Sequence, residues 1–240
     1  MMKRVMGMFL LAVLASGAMA EGDATAGQAK TAVCAACHGA TGNSTSGDFP
    51  SLAGQSAKYL LKQLNDIQCS QKSADEQKAS RCTARSVPMM AGLLANFSAQ
   101  DLADIAAFYA AQKPAIAGAA NSVEAPLSLG EKIYRTGIPA KDVAACTACH
   151  APTGEGNTLA GFPKVGGQQA KYLTAQLMAF RRASEFSDDE VKALRAKGDA
   201  TDTGRRNESS DEASAIMRAV ASRLTDREIE AVANYMSGLH

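Results

Sequence analysis

Two pentapeptides constrain this chain more than anything else in it: Cys34-Ala-Ala-Cys37-His38 and Cys146-Thr-Ala-Cys149-His150. Cys-x-x-Cys-His is the pattern at which haem is attached covalently. The two thiols add across the haem vinyl groups, and the adjacent histidine is placed to ligate the iron. One such pentapeptide arises easily by chance. Two, each followed by the same downstream pattern, point to two covalently bound haem c groups on Cys34, Cys37, Cys146 and Cys149. A zinc site on the same cysteines fits poorly, because each histidine abuts its cysteine pair rather than following at finger spacing.

The chain repeats itself. Phe49-Pro50-Ser51-Leu52-Ala53-Gly54-Gln55 and the following Lys58-Tyr59-Leu60 and Gln63-Leu64 recur as Phe162-Pro163-Lys164-Val165-Gly166-Gly167-Gln168, Lys171-Tyr172-Leu173 and Gln176-Leu177, at an offset of 113. The cysteine motifs are offset by 112, so both belong to one duplicated unit. A third block, Met90 to Tyr109, matches Met217 to Met236 at an offset of 127. The growing offset places a net insertion of 14 residues within the charged stretch Ser187 to Glu212 of the second unit. That stretch opens on a Ser187-Asp-Asp-Glu190 capping box and is expected to begin with an exposed helix. The second unit also has extra residues, Gly137 to Val143, before its cysteine motif.

Each unit reads as helical throughout. Ser98 stands before Leu102, Ile105, Ala106 and Tyr109, and Thr225 before Ile229, Val232, Ala233 and Met236. Both are helical spacings behind an N-cap residue, with Thr225 and Glu228 forming a capping box. Further helices are expected near Gly27–Val33 and Leu129–Arg135, and over Ala57–Ile67 and Ala170–Arg181. Nothing reads as a strand ladder. The expected fold is all-α, in two copies. Gln112 to Ser128, rich in Ala, Pro, Gly and Ser, reads as a linker. The chain then divides into a first haem domain at 21–113, a linker at 114–127 and a second haem domain at 128–240.

Residues 1–20 read as a signal peptide. Lys3 and Arg4 precede an apolar run from Val5 to Leu14, and small residues end in Ala18-Met19-Ala20, so cleavage is expected after Ala20. The run falls short of the roughly 20 residues a spanning helix needs, and no later stretch reaches that length. Export to a bacterial periplasm follows. Removing Lys3 and Arg4 from 25 basic residues leaves 23 against 24 acidic ones, and near-neutrality excludes nucleic acid as a partner. Four of the six cysteines lie in the haem motifs. In an oxidising compartment the other two, Cys69 and Cys82, are expected to pair. The closed loop of about 14 residues would contribute roughly 3 kcal/mol.

The iron ligands follow by elimination. The chain has three histidines, and the third, His240, is its last residue, so two bis-histidine haems cannot form. Methionine is the natural second axial ligand, and Met/His ligation raises the reduction potential. After residue 20 the methionines are Met89, Met90, Met178, Met217 and Met236. Met90 and Met217 are the pair that the repeat superposes, so His38 and Met90 are expected on one iron and His150 and Met217 on the other. Met89 competes for the first, although its counterpart is Ile216. Pro50 and Pro163, each after a Gly-rich loop, are candidates to offer a carbonyl to the second ring nitrogen of the histidine, which fixes the ring. A loop-shaping proline explains the same spacing.

These residues together resemble the cytochrome c4 family over essentially the whole length after the signal. The resemblance rests on the two Cys-x-x-Cys-His motifs, the repeated Phe-Pro, Gly-Gln and Lys-Tyr-Leu segments, Met90 and Met217. It implies tandem cytochrome c domains related by a pseudo-twofold axis, with haem propionate edges facing across the interface. It implies electron transfer in the periplasm between redox proteins, towards a membrane-bound oxidase or cytochrome complex, with peripheral membrane association in some members. It also assigns the histidine-accepting carbonyls to Pro50 and Pro163. Cys69 and Cys82 are not part of the family's basic motifs. They open a second reading, a thiosulfate dehydrogenase-like enzyme with a cysteine-ligated haem. A third reading is a haem subunit beside a flavoprotein sulfide dehydrogenase.

Overall fold

The computed structural model describes residues 21–80, 82, 84–120, 122–187, 189–190, 193–194, 204–205 and 212–240. The expected signal peptide at 1–20 and most of the 187–212 insertion lie outside them. The first unit runs α1 (Ala24–Gln28), α2 (Ala32–His38), α3 (Ala57–Cys69), α4 (Ala74–Ser80), a 3₁₀ turn at Pro88–Met90 and α5 (Ala99–Ala110). The second runs α6 (Leu127–Thr136), a 3₁₀ turn at Pro139–Lys141, α7 (Thr147–His150), α8 (Ala170–Ala183), α9 (Glu212–Ala221) and α10 (Asp226–Ser237). Among the described residues, extended pairing is limited to two isolated bridges, Ile138 with Val143 and Asn157 with Phe162. The fold is two tandem, all-α units.

The closing helices α5 and α10 organise the two cores. Ser98 and Thr225 each cap the backbone N–H three residues on, and Asp101 and Glu228 each return a bond to the cap's own N–H. Asp at the third position closes the box of α5 as Glu does that of α10. Behind these caps, Leu102, Ile105, Ala106 and Tyr109 are all buried, as are Ile229, Val232, Ala233 and Met236. Each large side chain so buried contributes about 1.5–3 kcal/mol.

The first helix of each unit crosses the last at a glycine. A Cβ on Gly27 would lie 2.0 Å from the Asp104 carbonyl oxygen, and one on Gly130 would lie 2.1 Å from that of Ala231. Only hydrogen fits there.

The helix expected over Gly27–Val33 is two helices. The chain turns at 29–31, closed by Lys30 N–H to Gly27 O at 2.9 Å and Thr31 N–H to Gln28 O at 3.3 Å. The turn is required because α1 is held against α5 at Gly27, while α2 must aim the cysteine motif at the core. Lys30 then reaches Asp101 and Asp104 on α5, both at 2.6 Å. In the second unit α6 is continuous until Gly137, which turns the chain at φ 68°.

Where the first unit closes its loop, Cys69 at the end of α3 is joined to Cys82, with Cα atoms 6.1 Å apart. At the matching place in the second unit, Ser187 and Glu190 form the reciprocal bonds of a capping box. The linker is tied down on both sides. Asn43 holds Lys113 O and Ala115 N–H, while Gly118 N–H bonds Ser237 O at 3.0 Å.

The units meet around a twofold relation visible in paired contacts. Lys58 donates to Leu159 O at 2.8 Å, and its counterpart Lys171 pairs with Asp48 at 2.6 Å. Arg85 from the first unit donates to Gln63 and Gln176, and Arg205 from the second donates to the same two glutamines. Burial works to raise the Tyr59 phenol, but the Arg205 and Arg85 guanidiniums outweigh it and lower its pKa. Two guanidiniums thus meet at the interface beside Tyr59.

Candidate haem centres

Helix α2 carries Cys34, Cys37 and His38, whose i, i+3, i+4 spacing sets them on one face. Helix α7 ends at His150, with Cys146 at its start and Cys149 within it. The four motif cysteines are free thiols, half-buried. Burial pushes the Cys34 thiol up and the Cys146 thiol up to about 11.

Both histidines are buried, and each ring Nδ1 lies 2.9 Å from a proline carbonyl, His38 on Pro50 and His150 on Pro163. A carbonyl can only accept, so Nδ1 carries the proton and Nε2 keeps its lone pair for a metal. Burial lowers both histidine pKa values, against the opposing pull of the carbonyl bond. The neutral imidazole, the ligating form, is favoured. The phenylalanine of each Phe-Pro pair adds a ring contact, Phe49 edge-on to His38 at 6.2 Å and Phe162 tilted on His150 at 6.5 Å.

Met90 is half-buried against Ile67, Leu94 and Leu102, and Met217 is half-buried against the core of the second unit. Met89 is 72% exposed and its counterpart Ile216 is 48% exposed. Met178 packs on the second core, and Met236 is buried within it. Local structure differs where the repeat aligns. Met90 ends a 3₁₀ turn that Pro88 begins and Gly92 (φ 77°) breaks, whereas Met217 sits inside α9, which has neither residue type.

Clamps before the closing helices complete the picture. Gln68 donates to Leu94 O and Phe97 O, both at 2.8 Å, while Gln71 bonds Met90 O and Gly92 N–H. Arg181, at the position equivalent to Gln68, donates to Leu224 O at 2.9 Å. Leu224 is the equivalent of Phe97, so two different side chains do one job. A tyrosine stands beside the first cysteine of each motif, but from different helices. Tyr109 comes from α5, and its buried hydroxyl, against Cys34, has no hydrogen-bond partner among the described residues. Tyr134 comes from α6, and its hydroxyl donates to Ala151 O at 2.6 Å. Burial raises both phenols. Sequence comparison missed these residues, because the equivalent of Tyr109 is Met236.

The donor set fits a haem in each unit: a pair of free thiols, a neutral imidazole with Nε2 available, an apolar lining, and in the first unit an unsatisfied hydroxyl beside the thiol. Two such centres in tandem helical units define a two-domain c-type cytochrome. The Cytochrome c family profile matches residues 24–112 and 128–240. Cytochrome c4 of Azotobacter vinelandii is 44% identical over 93% of this chain and 92% of its own. The crystal structure of reduced recombinant cytochrome c4 from Pseudomonas stutzeri superposes with a TM-score of 0.71 at 43% identity, covering 91% of this chain and all of that one. A thiosulfate dehydrogenase electron acceptor from Stutzerimonas stutzeri is 32% identical over 96% of this chain and 90% of its own. The chain belongs to the cytochrome c4 family, electron-transfer proteins that carry two haem c groups.

Proposed function

We propose that the chain is exported after cleavage behind Ala20 and passes electrons in the periplasm between respiratory-chain proteins, towards a terminal oxidase. Its working parts are domain 1 at 21–113, the linker at 114–127 and domain 2 at 128–240. Cys34 and Cys37 would hold one haem by thioethers, with His38 and Met90 as axial ligands. Cys146 and Cys149 would hold the other, with His150 and Met217. Bound haem supplies a one-electron couple at its iron.

The observation that carries this reading is the state of the two histidines. Each is buried and neutral, with Nδ1 committed to a proline carbonyl and Nε2 left for iron. Around them the chain's residues hold position. Gln68, Gln71 and Arg181 pin the loops that carry or follow Met90 and Met217, which would keep both sulfurs in place and reorganisation small. Pro50 and Pro163 fix the rings.

Cys69 and Cys82 are bonded to each other, which leaves neither thiol for iron. That favours Met90 over a cysteine-ligated haem. A second role has one observation behind it, the thiosulfate dehydrogenase electron acceptor among the relatives. On that reading the chain would take electrons from a sulfur-oxidising enzyme and pass them on.

The test is the far-red absorption of the ferric mature protein, where a methionine–iron bond gives a weak charge-transfer band. Intensity for two haems, lost stepwise in Met90→Ala and Met217→Ala and kept in Met89→Ala, supports both assignments. Intensity for one haem, lost entirely through Met217→Ala, removes Met90. Rapid mixing of the ferric protein with a reduced thiosulfate dehydrogenase, and of the ferrous protein with a terminal oxidase, separates the two partner roles.

A further inference from the structure

Gln55 and Gln168 belong to the repeated Gly-Gln motif, and nothing in the haem sites as described uses them. Both are buried, at 7% and 8% exposure. Each reaches out of its own unit and grips one residue of the other through a pair of hydrogen bonds. Ser51 N–H donates to Gln168 Oε1 at 2.8 Å, and Gln168 Nε2 donates to Ser51 O at 2.8 Å. In mirror image, Lys164 N–H donates to Gln55 Oε1 at 2.9 Å, and Gln55 Nε2 donates to Lys164 O at 2.9 Å. A second N–H on each oxygen, from Gln169 and from Ser56, fixes which amide atom is which.

Ser51 and Lys164 are the residues after Pro50 and Pro163. The N–H that Gln168 accepts therefore belongs to the same peptide group whose carbonyl accepts from His38. The N–H that Gln55 accepts shares its peptide with the carbonyl that holds His150. A peptide group is planar and conjugated, so charge drawn towards its N–H by an acceptor is returned to its oxygen. Chained hydrogen bonds polarise one another in this way, most strongly where water is excluded. A stronger acceptor on Nδ1–H makes the imidazole a stronger donor to its metal.

We propose that Gln55 and Gln168 are positioning residues that couple each haem's histidine to the opposite domain. The path runs Gln168 Oε1, Ser51 N–H, Pro50 C=O, His38 Nδ1–H in one direction, and Gln55 Oε1, Lys164 N–H, Pro163 C=O, His150 Nδ1–H in the other. Docking of the two units thereby lowers both haem potentials, each through the partner unit. The inference rests on His38 and His150 being the iron ligands.

The test uses the full two-haem protein with Gln168→Met and Gln55→Met, which keep side-chain length and remove the acceptor. Redox titration resolved for each haem is the first readout. The hyperfine-shifted proton spectrum of the ferric protein, with His38 and His150 assigned, is the second. The effect is crossed: Gln168→Met raises the potential of haem 1 and leaves haem 2 unchanged, and Gln55→Met does the reverse. The size is a few-fold change in the oxidised-to-reduced ratio at fixed potential, below the roughly 10–100-fold cost of losing a ligand's own hydrogen-bond partner. Gln168→Glu, which keeps an acceptor for the Ser51 N–H, does not raise haem 1. If each substitution moves its own domain's haem, both equally, or neither, the glutamines only join the domains and the proposal falls. If the unmodified protein shows no hyperfine-shifted histidine ring from His38 or His150, the ligand assignment itself fails, and the coupling with it.

Discussion

The hydroxyl of Tyr134 donates to the carbonyl of Ala151 at 2.6 Å, and Ala151 stands directly after His150 with a φ of 64°. The equivalent residue of the first unit is Gly39, at φ 78°. A side chain in this region costs about 1–3 kcal/mol unless its surroundings enforce it. Tyr134 is part of that enforcement, so the second unit holds by a hydrogen bond what the first holds by a glycine. Ala151→Gly is expected to stabilise domain 2 by about 1 kcal/mol, strain relief being partly offset by the entropy of the added glycine. The reverse change, Gly39→Ala, destabilises domain 1, because its Cβ would lie 2.4 Å from the Asn43 carbonyl oxygen. Denaturant titration of both variants checks the pair, and equal effects of one sign would contradict it.

The crossing of the first and last helices sets a second expectation. Alanine is the better helix former by about 1 kcal/mol. At Gly27 and Gly130, however, a methyl group would meet backbone carbonyl oxygen at 2.0 and 2.1 Å, which side-chain motion cannot relieve. Overpacking of this kind costs about 1–3 kcal/mol or more. Gly27→Ala and Gly130→Ala each lower the melting temperature, and a rise in either would show that the helices can part without cost.

Lys30 ties the first turn of domain 1 to Asp101 and Asp104. Its ammonium holds both carboxyls below the ordinary value of 3.8, Asp104 at about 2. A carboxyl lowered in the folded state stabilises above its unfolded pKa, and that stability is lost as pH falls through the folded value. Domain 1 is therefore expected to weaken between about pH 4 and about pH 2. Asp104→Asn flattens this part of the stability curve. Unfolding followed against pH in both proteins decides it, and identical acid limbs would remove Asp104 from the account.

Cys69 and Cys82 close their loop away from the four motif thiols. Replacing both by serine removes about 3 kcal/mol by the loop-closure argument. The far-red band and both haem potentials are expected to stay where they were, because the two sulfurs are bonded to each other. Loss of the band in this variant would instead return a cysteine to the ligand set.

Much of the site could be read without coordinates because its chemistry is carried by residue identity at fixed short spacing. Cys34, Cys37 and His38 need only one helical turn to share a face, and the duplication marks their counterparts, the Phe-Pro pairs and the methionines. The capping residues of α5 and α10 are legible for the same reason. Other parts are written in residues that do not match between copies. Gln68 and Arg181 clamp equivalent carbonyls with different groups, and Tyr109 and Tyr134 reach equivalent cysteines from different helices. The break between α1 and α2 follows from the contact of Gly27 with Asp104, and Lys30 there pairs with Asp101 and Asp104, more than 70 residues away.

The sequence by itself determined that this is a duplicated, helical, two-haem chain, since motif spacing, caps and apolar periodicity act over a few residues and survive unchanged into the fold. Only the tertiary structure decided how the copies are joined. The reciprocal grip of Gln55 on Lys164 and Gln168 on Ser51 requires two surfaces to meet in register. A glutamine in a sequence records its hydrogen-bonding capacity, not its partner. The partner is chosen when packing of the two cores brings a particular peptide group within 3 Å of the buried amide.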